Sequence, residues 1–373
     1  MIIKLQRPTH TLARRLATLL LMLIGMGILQ QLSGCVAPSY YTQAISGHLE
    51  IMRRRENVNT ILSRPETDQE LRRQLELARE IRSFATEQLG LPQNDSYTSF
   101  VQTGQSAVSW NVVVAPAYSV EARQWCFVVS GCVPYRGYFE QAKATRFAEK
   151  MQSKSFDVTV SPAVAYSTLG WFDDPLLDTM FQYSDEQLAA LIFHELAHQQ
   201  LYVKGDTAFN EGYANFVEET GVRQWLRASG REDNLPDWQA LEKASVEFNS
   251  LLQKTRERLL EEYASGHSEE VMKINKAAIF ARLKSDYQTI LKDQWMGKNY
   301  FKSWFSSELN NARLALISSY QGSACVFNKL YETAGRDIHR FNQLASEKAG
   351  LDKEQRALWM NQPCESIASS LDL

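Results

Sequence analysis

The stretch from Ser184 to Asp206 limits what this chain can fold into more than any other. It is built on Leu188, Ala189, Ala190, Leu191, Ile192, Phe193, Leu196, Ala197 and Leu201, and between these only Glu195 is charged. A run this apolar reads as a buried helix. Ser184 begins it and Gln187 lies three residues on, the pattern of a capping box. Lys204-Gly205-Asp206 reads as its end: a basic residue in the last turn, a C′ glycine, then an Asp able to cap the next helix.

Inside the run, His194-Glu195-Leu196-Ala197-His198 spells H-E-x-x-H. Residues four apart share one helix face, so the two imidazoles stand one turn apart and suit one Zn²⁺ ion. Glu195 leans about 100° round the helix and can reach a metal-bound water as a general base. The third ligand follows from the turn. From His198 the helix is expected to run on about 7 Å, and a helix returning from Thr207 covers a similar distance before Glu211, at about 1.5 Å per residue. Glu211, in Asn210-Glu211-Gly212-Tyr213-Ala214, is therefore expected level with His198. Glu218 and Glu219, about 10 Å further along, are expected to overshoot. Asn215, on the same face as Glu211, is expected to hold a ligand imidazole by its free ring nitrogen. Two imidazoles, a carboxylate and a water match zinc with one open position.

These phrases resemble those of the gluzincins, zinc peptidases in which H-E-x-x-H is followed by a Glu ligand on the next helix. Asn210 to Ala214 is similar to the N-E-G-F-A phrase of the aminopeptidase N group. More closely, the chain resembles a bacterial lipoprotein family named putative or predicted aminopeptidases. Cys126 to Tyr138, Ala165 to Leu176, the helix pair and Leu309 to Tyr320 carry that likeness. The resemblance implies a zinc ion and peptide hydrolysis. Two departures bear on the mode of cleavage. Twelve residues separate His198 from Glu211, fewer than in the aminopeptidase N group, and no G-x-M-E-N segment, which there anchors the substrate's free amine, is present. Internal cleavage thus stands beside amino-terminal trimming.

Lys4, Arg7, Arg14 and Arg15 precede an apolar stretch from Leu16 to Leu29, and Leu32-Ser33-Gly34-Cys35 follows. The stretch is shorter than the roughly 20 residues of a membrane span, so residues 1–34 read as a secretory signal. The last four residues resemble a bacterial lipobox, which implies cleavage before Cys35 and lipidation of its thiol. Val36 in place of Asp favours, by the same resemblance, the outer membrane with the protein facing the periplasm. Removal of residues 1–34 would take the net charge from −3 to about −7. No basic stripe remains, and a nucleic-acid partner is not expected. The expected partners are a peptide or unfolded protein and the membrane itself. Four further cysteines suggest two disulfides in an exported protein. Cys126–Cys132 and Cys325–Cys364 are the favoured pairs of three possible connectivities. His10, His48, His267 and His339 read as bystanders.

Residues 35–95 read as a helical segment, 96–235 as a zincin-like core and 236–373 as a helical region. Strands are expected at Tyr97–Thr103, Val108–Ala115, Gln124–Val129 and Phe156–Ala165, with a helix from Tyr138 to about Lys154. Long helices are expected near Asp237–Ala264 and Ser268–Trp295. Strands first and helices after indicate an α+β fold: a mixed sheet, then the metal-binding helix pair, then helices. Phe156–Ala165 is either an edge that binds a substrate backbone or an interior strand. Trp171 to Pro175 is expected to line the cleft. Tyr166 is the first choice to stabilise an oxyanion, then Tyr320 and Tyr213. Two other readings stand: a protease-chaperone acting on outer-membrane assembly clients, and a non-enzymatic lipoprotein with structural zinc. The last is disfavoured, because structural zinc usually takes four protein ligands and only three are evident.

Overall fold

The computed structural model describes residues 38–127, 131–168, 172–315 and 323–362. Cys35 and the signal segment, Trp171, Tyr320 and Cys364 lie outside them. The chain opens with helix α1 (Pro38–Arg54), strand β1 (Glu56–Asn57), helix α2 (Val58–Leu62) and helix α3 (Gln69–Glu87). Asp68 starts α3 by accepting the N–H groups of Glu70 and Leu71, and Leu75, Ala78, Ile81 and Ala85 bury one face at helical spacing.

The strands follow: β2 (Ser99–Val101), β3 (Ser109–Pro116), β4 (Trp125–Phe127), β5 (Gly131–Val133) and β6 (Tyr135–Tyr138). Helix α4 (Gln141–Gln152) leads to β7 (Phe156–Ala163), and β8 (Leu176–Leu177) completes the set. Strand β3 is the spine of the main sheet. It pairs antiparallel with β6, Trp110 opposite Tyr138, and with β7, Val112 opposite Val160. The order β6-β3-β7 leaves β7 at an edge among the described residues. Ala144, Ala148 and Met151 of α4 cover one face of this sheet. A second small sheet joins β1, β2 and β8, and β4 and β5 form a hairpin closed by a Cys126–Cys132 disulfide. Cys325 is also disulfide-bonded.

Helices fill the rest: α5 (Asp185–Gln200), α6 (Thr207–Ala228), α7 (Leu235–Tyr263), α8 (Glu269–Asp293), α9 (Asn311–Leu314), α10 (Ser323–Thr333), α11 (Ile338–Ala349) and α12 (Lys353–Met360). The molecule is mixed α+β, mostly helical with small sheets. The strands expected at Tyr97–Thr103 and Phe156–Ala165 are shorter, at Ser99–Val101 and Phe156–Ala163, and the segment read as helical contains β1; two further differences have a local cause. The helix expected from Tyr138 starts at Gln141, because Tyr135–Tyr138 pairs with β3 instead. Helix α5 ends at Gln200 rather than near Lys204, because Asn210 clamps the link that follows. Its amide donates to the Val203 carbonyl (2.9 Å) and its carbonyl accepts the Val203 N–H (2.7 Å).

The largest apolar cluster gathers α3, α5, α6 and the helices after residue 323 around Phe193, Leu196, Tyr213, Val217, Trp225, Phe327 and Phe341. Burying each such side chain contributes about 1.5–3 kcal/mol. At Gly221 the packing leaves no room: an added Cβ would fall 2.7 Å from Leu89 Cδ1 and 2.9 Å from Phe193 Cδ2. Gly221→Val is expected to overpack this contact, lower the unfolding free energy by about 1–3 kcal/mol and weaken metal binding. Urea denaturation with metal titration checks this, and a variant as stable as the parent would show that the helices have slack.

Candidate metal centre

Helix α5 carries H-E-x-x-H as anticipated from its caps. Ser184 accepts the Gln187 N–H, and the Gln187 side chain returns a bond to the Ser184 N–H. At the far end Gly205 takes φ +78°, open to glycine at little cost. Asp206 then caps α6 by accepting the Phe209 N–H, while its other oxygen holds buried Arg356 at 2.6 Å. The two helices run back to back, and their facing side chains meet.

His194, His198 and Glu211 come together as the expected trio. One ligand atom from each lies within 4.8 Å of the others. The His194 and His198 Nε2 atoms are 3.1 Å apart, and Glu211 oxygens stand 3.4 Å from His194 Nε2 and 3.6 Å from His198 Nε2. Ligands on a tetrahedral ion with bonds of 2.0–2.1 Å are separated by about 3.3 Å. The trio therefore fits one cation, and its donors suit zinc. His198 Nδ1 is buried without a hydrogen-bond partner among the described residues.

The part expected of Asn215 falls to Glu218. Its Oε2 lies 2.9 Å from His194 Nδ1 and so fixes which ring nitrogen faces the trio. In an antiparallel pair, residues further along α6 stand beside residues earlier on α5. Glu218 lies about two turns past Glu211, and helical side chains lean toward the N-terminus, which brings its carboxylate back to His194. The expected overshoot of Glu218 is true of the cation position and false of the imidazole beside it.

Burial opposes charge on His194, but bonds to Glu211 and Glu218 outweigh it and push its pKa up to about 10. Burial and the neighbouring His194 charge push His198 down to about 4. Burial raises Glu195, while His194 and a hydrogen bond from Ser167 oppose that rise. The Ser167 hydroxyl also reaches Asp174 Oδ2 at 3.1 Å. Asp174 is buried, held by Thr168 as well, and raised by that burial. One hydroxyl proton thus sits between two carboxyl groups that both resist ionisation.

Ser167 and Asp174 were missed as site residues. Their signal was weak: Asp174 lies in the segment expected at the cleft, and a lone serine carries no pattern. Tyr166 is half-buried, and its hydroxyl pairs with His48 Nδ1 at 3.1 Å. His48, read as a bystander, therefore ties α1 to the loop that reaches Glu195. Tyr213 is excluded from the cleft: it is fully buried and its hydroxyl donates to Asn342 Oδ1 (2.9 Å). Its place beside Glu211 in sequence puts it on the opposite, core-facing side of α6. Phe172 is exposed and packs against His48.

Two histidines and a glutamate of this α+β chain thus converge between paired helices as a group that could hold a metal ion. The family model described as Putative aminopeptidase matches residues 39–360, most of the chain, which belongs to that family. The family supports a peptidase-type enzyme with a peptide substrate. No curated protein and no solved structure matches the chain significantly.

Two outcomes follow from the charge balance. Without a cation His194 stays protonated below about 10, so a cation must displace that proton. Uptake of Zn²⁺ at pH 7 is expected to release about one proton, and affinity to fall up to tenfold for each pH unit of acidification. Calorimetry in two buffers of different ionisation heat reads this directly; heats independent of buffer would contradict it. Glu218→Gln should weaken metal affinity about 10–100-fold without unfolding the protein.

Proposed function

We propose that the protein is a zinc-dependent peptidase of the bacterial cell envelope, an aminopeptidase by its family. The convergence of His194, His198 and Glu211, with Glu195 beside them, carries this reading. Bound there, Zn²⁺ would polarise the scissile carbonyl and lower the pKa of a bound water toward about 7. Glu195 takes the proton as the water adds and passes it to the departing amine. Its raised pKa suits both halves of that exchange, since a less acidic carboxyl takes the proton more readily and can still hand it on. Ser167 keeps the carboxyl in place. Tyr166, next in sequence to Ser167, donates to the oxyanion. For that role His48 Nδ1 carries the proton and donates to the phenol oxygen.

Strand β7 supplies the platform. Its Val158 carbonyl faces away from β3 and accepts Asn310 Nδ2 at 3.0 Å. Strand groups alternate in direction, so Val160 and Pro162 present theirs to the same outer side. A substrate backbone pairs there by strand addition. Pro162 suits an edge because it has no N–H to leave unpaired.

The envelope location rests on the resemblance of Leu32-Ser33-Gly34-Cys35 to a lipobox, and the outer membrane, facing the periplasm, on Val36 after it. The Cys126–Cys132 bridge suits an oxidising compartment. A second reading, an endopeptidase or protease-chaperone for unfolded envelope proteins, is favoured by the same edge. An open strand edge binds internal segments as readily as ends.

Glu195→Gln is expected to keep its metal and to lose about 10²–10⁴-fold in kcat. Metal analysis and mass-spectrometric profiling of peptide libraries check both. Single-residue ladders from the amino end support the exopeptidase, and internal cuts the alternative. A variant that cleaves at the parent rate sinks both.

A further inference from the structure

Helix α1 exposes apolar side chains that it has no means of hiding. Ile45 and Leu49 are 57% and 59% exposed. Tyr41 and Met52, half-buried, flank them. At 100° per residue these four fall within about 80° of arc. The opposite side is clamped to the protein. Gln43 donates to the Gly137 carbonyl and accepts the Phe139 N–H, both at 3.2 Å. Any Cβ at Gly47 would lie 2.3 Å from the Phe139 ring. Arg136 stacks on Tyr40 at 4.4 Å. The helix cannot roll its apolar shoulder inward.

We propose that α1 lies flat on the membrane, with Tyr41, Ile45, Leu49 and Met52 in the lipid interface. The inference rests on lipidation of Cys35. Only two residues, Val36 and Ala37, separate an acyl-bearing Cys35 from Pro38, a reach of about 10 Å, so the helix must start at the headgroups. At its other end Arg53, largely exposed, stands next to the stripe and pairs with Glu50, whereas Arg54 and Arg55 donate to the Gln102 and Asp173 carbonyls of the protein. An exposed basic side chain next to an apolar stripe suits a helix that rests on anionic lipid. Among the described residues no helix is long and apolar enough to cross a membrane, so contact of this kind is with the surface. His48 lies at the border of the same shoulder and bonds Tyr166. Docking therefore holds the candidate site close to the bilayer.

The test uses the mature lipoprotein, with acylation of Cys35 verified by mass, in vesicles containing phosphatidylglycerol. Hydroxyl-radical labelling is compared with the same protein in detergent-free fragments released by cleavage just after Cys35. Labelling of Ile45, Leu49 and Met52 is expected to drop about fivefold or more on vesicles. Ile274 and Met296, 68% and 85% exposed elsewhere, should label equally in both. Protection of Tyr41 alone would mean an upright helix and overturn the proposal. So would protection that appears without vesicles and grows with protein concentration, which would mark a second copy as the occupant. Missing acyl mass at Cys35 overturns the lipid anchor and this inference together; an unprotected stripe on verified lipoprotein overturns this inference alone and leaves the peptidase reading intact.

Discussion

The close antiparallel contact of α5 and α6 is the constraint on which the site depends. A cation needs three ligand atoms a few ångströms apart, and here they come from residues on two helices joined by a short link. That link has its own fastening, the two-way hydrogen bond between Asn210 and Val203. The missing side chain at Gly221 lets α6 settle against Phe193, one residue before the first ligand. The asparagine of the N-E-G-Y-A phrase thus serves geometry, while its glutamate serves chemistry.

Electrostatics add a second layer. Glu195, Glu211 and Glu218 surround two imidazoles in a poorly hydrated pocket, and Asp174 stands behind Ser167. Burial raises Glu195 and Asp174 and works against the charge on Glu211. Protonation of His194 offsets part of the imbalance, and a divalent ion would offset more of it. The pocket is therefore under-neutralised by its own side chains, which gives a driving force for cation uptake independent of any evolutionary argument.

The legible parts of the fold were those governed by local rules. The capping box, the left-handed glycine and the spacing of His194 and His198 follow from helical periodicity, and so does the level of Glu211. The long helices α7 and α8 stood within a few residues of their expected limits. What could not be read depends on which segments meet. Tyr135–Tyr138 is too short for its alternation to stand out, and only pairing with β3 reveals it as a strand. Asn215 shares the helix face of Glu211, but the free nitrogen of His194 is met from further along α6, by Glu218. His48 and Asp174 lie far from H-E-x-x-H along the chain, and no pattern in sequence links them to it.

The outer side of β7 has a consequence for selectivity. Val160 and Pro162 offer main-chain groups there, and main-chain groups are common to every polypeptide. On the proposed reading, a chain laid along such a rail would be admitted because it is extended and unpaired, with its side chains having little say. Discrimination would then fall between folded and loose polypeptide, so that the physical state of a client, more than its composition, decides whether it reaches the metal.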